Sequence, residues 1–175
     1  MLFVARRTCL AHLFRMTQDE DLNIRSARAA DSAALIAVLS STFQSTWRPA
    51  ITPAAADAYA RENRPADYVA RCGLEFRVAE RAGEVIGLVH WRNDFIHALH
   101  VHSAHARNGA GTALMDLAET EIARAGFPFA RLETDTFNTA SQAFYAARGY
   151  AEAGRYPDEE WKSGLTTLLL EKRLG

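Results

Sequence analysis

Lysine is almost missing from this 175-residue chain: Lys162 and Lys172 stand beside 18 arginines. Positive charge is not in excess, because 20 basic residues face 21 acidic ones and leave a net charge of −1. That balance argues against a general nucleic-acid binder or a polybasic membrane binder, whose affinity rests on surplus cations. Cysteine is as scarce. Cys9 and Cys72 lie far apart with no pairing or ligand spacing, which fits reduced thiols in a cytoplasmic protein rather than a secreted disulfide scaffold. No run approaches the roughly 18 apolar residues of a membrane-spanning helix, and no repeat, low-complexity tract or interdomain linker interrupts the chain. The arginine excess has two readings: a compositional bias that the many alanines share, or a use of arginine's fork to match phosphate.

What is present describes one ordinary globular domain, 49% apolar and 23% charged, long enough to bury a core without staples. Met1 to Arg15 differ from the rest, with Arg6, Arg7, Arg15 and no acid. Such a leader reads as a non-essential extension or as a transit peptide, and the domain is expected over 19–175, after an extension of 1–18. Leu22 to Arg28 reads as a strand, and Asp31 as the cap of a helix carrying Leu35, Val38, Leu39 and Phe43. Phe43 to Pro53 reads as a loop, and Ala54 to Cys72 as helix broken near Pro65. Leu74–Glu80 and Val85–Trp91 flank a turn at Arg81-Ala82-Gly83-Glu84, and Phe95–Val101 continues the meander. A long helix follows with Leu114, Leu117, Ala118, Ile122 and Ala125 on its core face and Asp116, Glu119 and Glu121 off it. Ala130–Thr134 is a strand; Ala140, Ala143, Phe144 and Ala147 mark the core face of another helix. Tyr150–Tyr156 and Leu165–Leu170 close the domain as a strand pair around Asp158-Glu159-Glu160. The whole reads as a single mixed α/β (α+β) domain, its sheet mainly antiparallel and flanked by helices.

The segment from Leu99 to Leu114 carries the first chemical signal. A strand ends near Val101, and the next helix opens at Gly109-Ala110-Gly111-Thr112. Backbone N–H groups at such a helix start form an anion site assisted by the helix dipole, and side chains at Gly109 and Gly111 would obstruct a phosphate. Position 114 is Leu, not the third glycine of a dinucleotide fingerprint, and no Lys is near enough for a P-loop. The second signal is Asn138-Thr139-Ala140-Ser141-Gln142-Ala143-Phe144-Tyr145-Ala146-Ala147-Arg148-Gly149-Tyr150.

In that order, the two stretches resemble the GNAT superfamily of acyl-CoA-dependent N-acetyltransferases. Val101, Gly109 and Gly111 match the first signature; Asn138, Ser141, Phe144, Tyr145, Gly149 and Tyr150 match the second. Ala106 departs from the family's Gln or Arg, and the adjacent Arg107 and Asn108 are candidates to supply the missing donors. The resemblance implies transfer of an acetyl group from acetyl-CoA to a primary amine of a small molecule by direct attack in a ternary complex. Leu99, Val101, Arg107, Asn108, Gly109, Ala110, Gly111, Thr112, Asn138 and Phe144 would contact the cofactor. Val101 would give the oxyanion its N–H, and Tyr145, off the core stripe, would protonate the departing thiolate.

His97 is the candidate base, on the same strand face as Val101 by the period of two; Glu133, Asp94 and a water relay are alternatives. No metal site is expected, since neither a carboxylate nor a cysteine completes a set with His97, His100 and His102. The acceptor would lie between Phe43–Trp47 and Tyr156–Trp161, where Asp158, Glu159 and Glu160 either attract a cationic amine or form a solvated loop; Trp47 and Trp91 either line it or pack. A protein or peptide acceptor and a non-catalytic acyl-CoA-binding module are the competing readings. Many members of the superfamily are homodimers, though no stretch here signals an interface.

Overall fold

The computed structural model describes residues 22–158 and 164–175. The extension at 1–18, together with Glu159, Glu160 and Trp161, lies outside the described residues. Seven strands form one sheet in the order β1-β2-β3-β4-β5-β7-β6: β1 Asn23–Ser26, β2 Arg77–Arg81, β3 Glu84–Arg92, β4 Phe95–Val101, β5 Phe129–Asp135, β6 Ala151–Pro157 and β7 Thr166–Arg173. Every neighbouring pair is antiparallel except β4 and β5. Those two are joined by a helical crossover, the connection that parallel strands require.

The helices cover both faces. Helix α1 spans Ser32–Thr42, α2 Pro53–Glu62, α3 Arg64–Cys72, α4 Ala110–Arg124 and α5 Thr139–Ala147. On one face, Leu114, Met115, Ala118 and Ile122 of α4 and Tyr145 of α5 pack with Ile86, Val89, Ile96 and Leu132. On the other, Leu35, Val38 and Leu39 of α1 and Val69 of α3 pack with Phe76, Val78, Leu88 and Ala98.

Several local expectations change, each for a physical reason. The Phe43–Pro53 segment is a loop only in part: Phe43–Trp47 forms one π-helical turn continuous with α1, and irregular turns follow over 48–52. The break in the second helical stretch falls at Asn63, in left-handed conformation at φ +47°, while Pro65 sits in the first turn of α3, where a missing N–H does no harm. Asp31 does not cap α1 with its side chain; its carboxylate accepts from the Arg28 N–H and the Arg25 guanidinium instead. The β2–β3 turn puts both Ala82 (φ +56°) and Gly83 (φ +79°) in left-handed conformation, the backbone of a tight two-residue hairpin.

Glu119, expected on the solvent side of α4, is buried. Arg148 and Lys172 enclose it at 3.1 and 2.6 Å, and a buried carboxylate requires such partners. Ala125 is exposed and Leu117 only half-buried. In α5 the alanines 140, 143 and 147 face solvent, and Tyr145 is the helix's buried residue. Alanine carries too little apolar area to decide which way a short helix turns.

Gly87 lies at the centre of β3, under α4. A Cβ there would sit 3.0 Å from the His100 carbonyl and 3.3 Å from both Leu114 and Val101, so its absence lets α4 press onto the sheet. Gly87→Ala is expected to destabilise the fold by about 1–3 kcal/mol through overpacking. Urea unfolding measures the loss, and a stability equal to the parent's would show that the contact relaxes freely.

Candidate active site

The parallel pairing of β4 and β5 lasts for two residue pairs, Phe95 with Arg131 and Ile96 with Leu132. It is clamped at its base, where the Arg131 N–H donates to the Asp94 carbonyl and its guanidinium to the Asp94 carboxylate, both at 2.8 Å. Asp94, an alternative base, is thereby held in an ion pair at the β3–β4 turn. Beyond Ile96 the strands have no paired residues, and a V-shaped gap opens between them.

The direction of the backbone in that gap follows from the other edge of β4. The His102 N–H donates to the Ile86 carbonyl at 2.8 Å, and His100 is paired with Leu88 and Ala98 with His90. In an antiparallel ladder the hydrogen-bonded pairs alternate. The N–H and C=O groups of Leu99 and Val101 therefore point away from β3, into the gap.

The N-terminus of α4 stands at the open end. Gly109 is its N-cap in left-handed conformation (φ +84°), with no side chain to cap the first turn, so the Ala110, Gly111 and Thr112 N–H groups face an approaching anion. The glycine requirement at 109 is conformational, since a Cβ there would meet nothing within 4 Å. At 111 a Cβ would sit in ordinary contact with Val101 and Phe144. Arg107 is exposed and also left-handed, at φ +63°. Asn138 caps α5, its side-chain oxygen accepting from the Ser141 N–H at 3.1 Å. Phe144 is partly buried and packs on Tyr145 edge-on, with ring centroids 5.3 Å apart.

Tyr145 borders the gap from the α5 side, and burial pushes its phenol well above the ordinary value. It is thus anchored in the core while bordering the cleft, which helical spacing alone did not reveal.

His97 is not on the face of Val101. Register shifts between Ile96, opposite Trp91, and Ala98, opposite His90, so His97 is the extra residue of a β-bulge. The bulge reverses the alternation: Ile96, Leu99 and Val101 pack toward α4, while Ala98 packs toward α1. The His97 ring lies with His90 and Phe95, at 5.3 and 5.0 Å. It faces a cleft of about 760 Å³ that runs from the β4–β5 gap to α3. Burial lowers its pKa, with Arg92 acting in the same direction.

Across the cleft stand Glu133 and Asp135, on the same side of β5 by the period of two. Glu133 accepts a hydrogen bond from Tyr156, and Asp135 accepts one from the Trp47 indole at 2.8 Å. Burial raises the Asp135 pKa despite that bond. Among the described residues neither carboxylate has an ion-pair partner. Phe43, Trp47 and Asp158 line this cleft, and Tyr156 is joined to its edge only through Glu133. Trp91 instead packs on the α4 face.

Among the described histidines, the residue that meets a group of metal-ligating side chains is His90. The donor atoms of Cys72, Glu75 and His90 lie within 4.8 Å of one another, a grouping hidden by their sequence separation. The Arg92 guanidinium is bonded to Glu75 at 2.7 and 2.8 Å and lies 3.8 Å from the Cys72 sulfur, so a cation already serves these acceptors. Tyr68 holds the other face of His90, its hydroxyl 2.6 Å from Nδ1. His102 lies beyond the end of β4, its Nδ1 accepting from the Ala104 N–H at 3.3 Å.

Residues 36–150 match the family model of the acetyltransferase (GNAT) family, and the chain belongs to that family. A GCN5-related N-acetyltransferase from Rhodopseudomonas palustris shares the fold at TM-score 0.74 and 21% identity, over 87% of this chain and 96% of that one. The PaiA N-acetyltransferase from Thermoplasma acidophilum, solved in complex with coenzyme A, superposes at TM-score 0.68 and 18% identity, over 87% and 99%. YncA from Salmonella typhimurium, solved with its cofactor acetyl-CoA, does so at 0.63 and 22%, over 88% and 94%. No curated protein sequence matches the chain. Among the described residues no helix is long and apolar enough to cross a membrane.

His100, packed near Trp47 with ring centroids 5.9 Å apart, has a solvent-excluded Nδ1, and burial pushes its pKa down to about 4. An unfolded histidine titrates near 6.5, so between those values the unfolded chain binds a proton that the folded one refuses. Stability is expected to be full above about pH 6.5 and to fall by up to about 3 kcal/mol as pH drops toward 4. His90 and His97, also lowered, act in the same direction. Urea unfolding at about pH 7 and about pH 4.5 measures this; His100→Phe is expected to flatten the slope, and an unchanged slope would assign it to other groups.

Proposed function

We propose that the protein transfers an acetyl group from acetyl-CoA to the primary amine of a small cationic molecule, by direct attack in a ternary complex. The observation that carries this reading is the gap between β4 and β5, with the Leu99 and Val101 backbone facing it, the open N-terminus of α4 at one end and Tyr145 at its side. An amide-containing pantetheine arm is suited to continue the β4 ladder, and a pyrophosphate to sit on the Gly109–Thr112 N–H groups. The Val101 N–H is positioned for the thioester oxygen, where negative charge develops during attack.

The acceptor reading rests on the other side of the sheet. The cleft's volume suits a small molecule, and Glu133 and Asp135, held by neutral donors, favour an ammonium. The amine must lose a proton before its lone pair can attack. His97, whose lowered pKa keeps it neutral near pH 7, takes that proton. The amine nitrogen then bonds to the acetyl carbon as the carbon–sulfur bond breaks. Tyr145, protonated at any physiological pH, gives its proton to the leaving thiolate and regains one from the nitrogen by way of solvent. The products are an N-acetylated amine and the free thiol, with one proton released to solution.

Thiol release from acetyl-CoA over a panel of amines and peptides tests the reading. Tyr145→Phe is expected to lower kcat by about 10–100-fold. His97→Ala is expected to lower activity mainly below about pH 8, where acceptor ammonium dominates. Undiminished turnover in either variant removes that role. Coenzyme A binding without thiol release on any amine would establish the non-catalytic module, and turnover confined to peptides would establish a protein acceptor.

A further inference from the structure

The loop that leads into α4 has a shortage and a strain. Ala106 supplies no side-chain donor, and Arg107 holds a left-handed backbone at φ +63°, a conformation unfavourable for a residue with a Cβ. Something must hold it. Among the described residues, one side chain from elsewhere in the fold bonds to the backbone of 106–109. That side chain is Arg81, the last residue of β2, whose guanidinium Nη2 donates to the Asn108 carbonyl at 3.0 Å.

That bond has a directional consequence. In a planar trans peptide the carbonyl and the following N–H point in opposite directions, so fixing the Asn108 carbonyl also aims the Gly109 N–H. The guanidinium keeps further N–H donors and a full charge beside the loop. Arg81 has no ion-pair partner among the described residues. Glu84, its register partner across the hairpin, lies 3.9 Å from His105. The hairpin turn at Ala82 and Gly83 is tight, so Arg81 is carried on a short support.

We propose that Arg81, reaching across from the β2–β3 hairpin, is the side-chain cation of the phosphate loop, orienting it through Asn108 and contributing charge to the pyrophosphate of coenzyme A. This rests on the reading that the N-terminus of α4 receives that pyrophosphate. The cation absent at Ala106 is then supplied from a different element, 25 positions earlier in the chain.

Calorimetric titration with coenzyme A and with 3′-dephospho-coenzyme A, each at about 50 mM and about 300 mM salt, tests it. Arg81→Ala is expected to weaken coenzyme A binding about tenfold at low salt and by clearly less at high salt, because charge contacts are screened. The loss should be the same for the dephospho compound. Arg81→Gln, which keeps a donor for Asn108 but no charge, should bind more weakly than the parent and lose most of the salt dependence. Arg81→Lys should recover part of the affinity. Parent-like binding by Arg81→Ala, a loss equal at both salts, or a loss that vanishes with the dephospho compound each overturns the proposal. Failure of the unaltered chain to bind coenzyme A overturns the pyrophosphate reading itself.

Discussion

The candidate site in this fold depends on a parallel strand pair that pairs only briefly. Beta-strand neighbours normally satisfy one another's backbone groups along their length, and an unpaired N–H or C=O shielded from water is costly. Here β4 and β5 pair at Phe95–Ile96 and then part. The Arg131–Asp94 clamp holds the base of the V together, while β3 on one flank and β7 on the other keep each arm fully laddered. With each arm laddered on its outer edge, the Leu99 and Val101 backbone groups are left unpaired on the side of the gap. Gly87 sets the depth of the same region, because α4 must approach the sheet closely for its N-terminus to stand at the mouth of the V.

The scarcity of lysine becomes intelligible in the ion pairs. Arginine's planar fork bonds two partners at once, and several arginines here do so. Arg25 spans Asp31 and Glu80, and Arg148 spans Asp116 and Glu119. Lys172 completes the enclosure of Glu119 and lies over the Tyr150 ring. Near-neutrality therefore reflects internal pairing. A total of −1 does not describe the loop before α4, where uncapped helix N–H groups and the Arg81 guanidinium lie together.

The order of elements and both glycine-marked motifs were legible because each has a short-range physical cause. What could not be read depends on long-range register. A β-bulge adds one residue to one strand only, and nothing in Phe-Ile-His-Ala-Leu-His-Val announces that His97 is the extra one. The alternation rule consequently put His97 on the wrong face. Glu119 was assigned to solvent because its partners come from a different helix and from the last strand. The alanines of α5 suggested a core face while the real anchor was Tyr145. Asp135 was within reach of sequence reasoning, two positions beyond Glu133 on β5, but its bond to Trp47 depended on a π-turn that a Phe-to-Pro stretch does not advertise.

In the proposed mechanism the bulge also separates two groups that a regular strand would put together. Acyl transfer to an amine needs a proton removed on one side of the thioester and added on the other, with both groups kept from neutralising each other. In an unbulged β4, odd-numbered residues would share one face, and a histidine at 97 would lie under α4 with Val101 and near the tyrosine. One inserted residue sends His97 through to the α1–α3 side, into a cleft with Glu133 and Asp135, while Leu99 and Val101 stay in contact with the α4 layer. Tyr145 is held high in pKa because it is buried among Phe144 and Tyr150, and His97 is held low by desolvation at the cleft wall and by nearby Arg92. In the proposed mechanism the sheet itself thus separates the acid from the base, and both side chains line the one cleft that the V between its strands opens into.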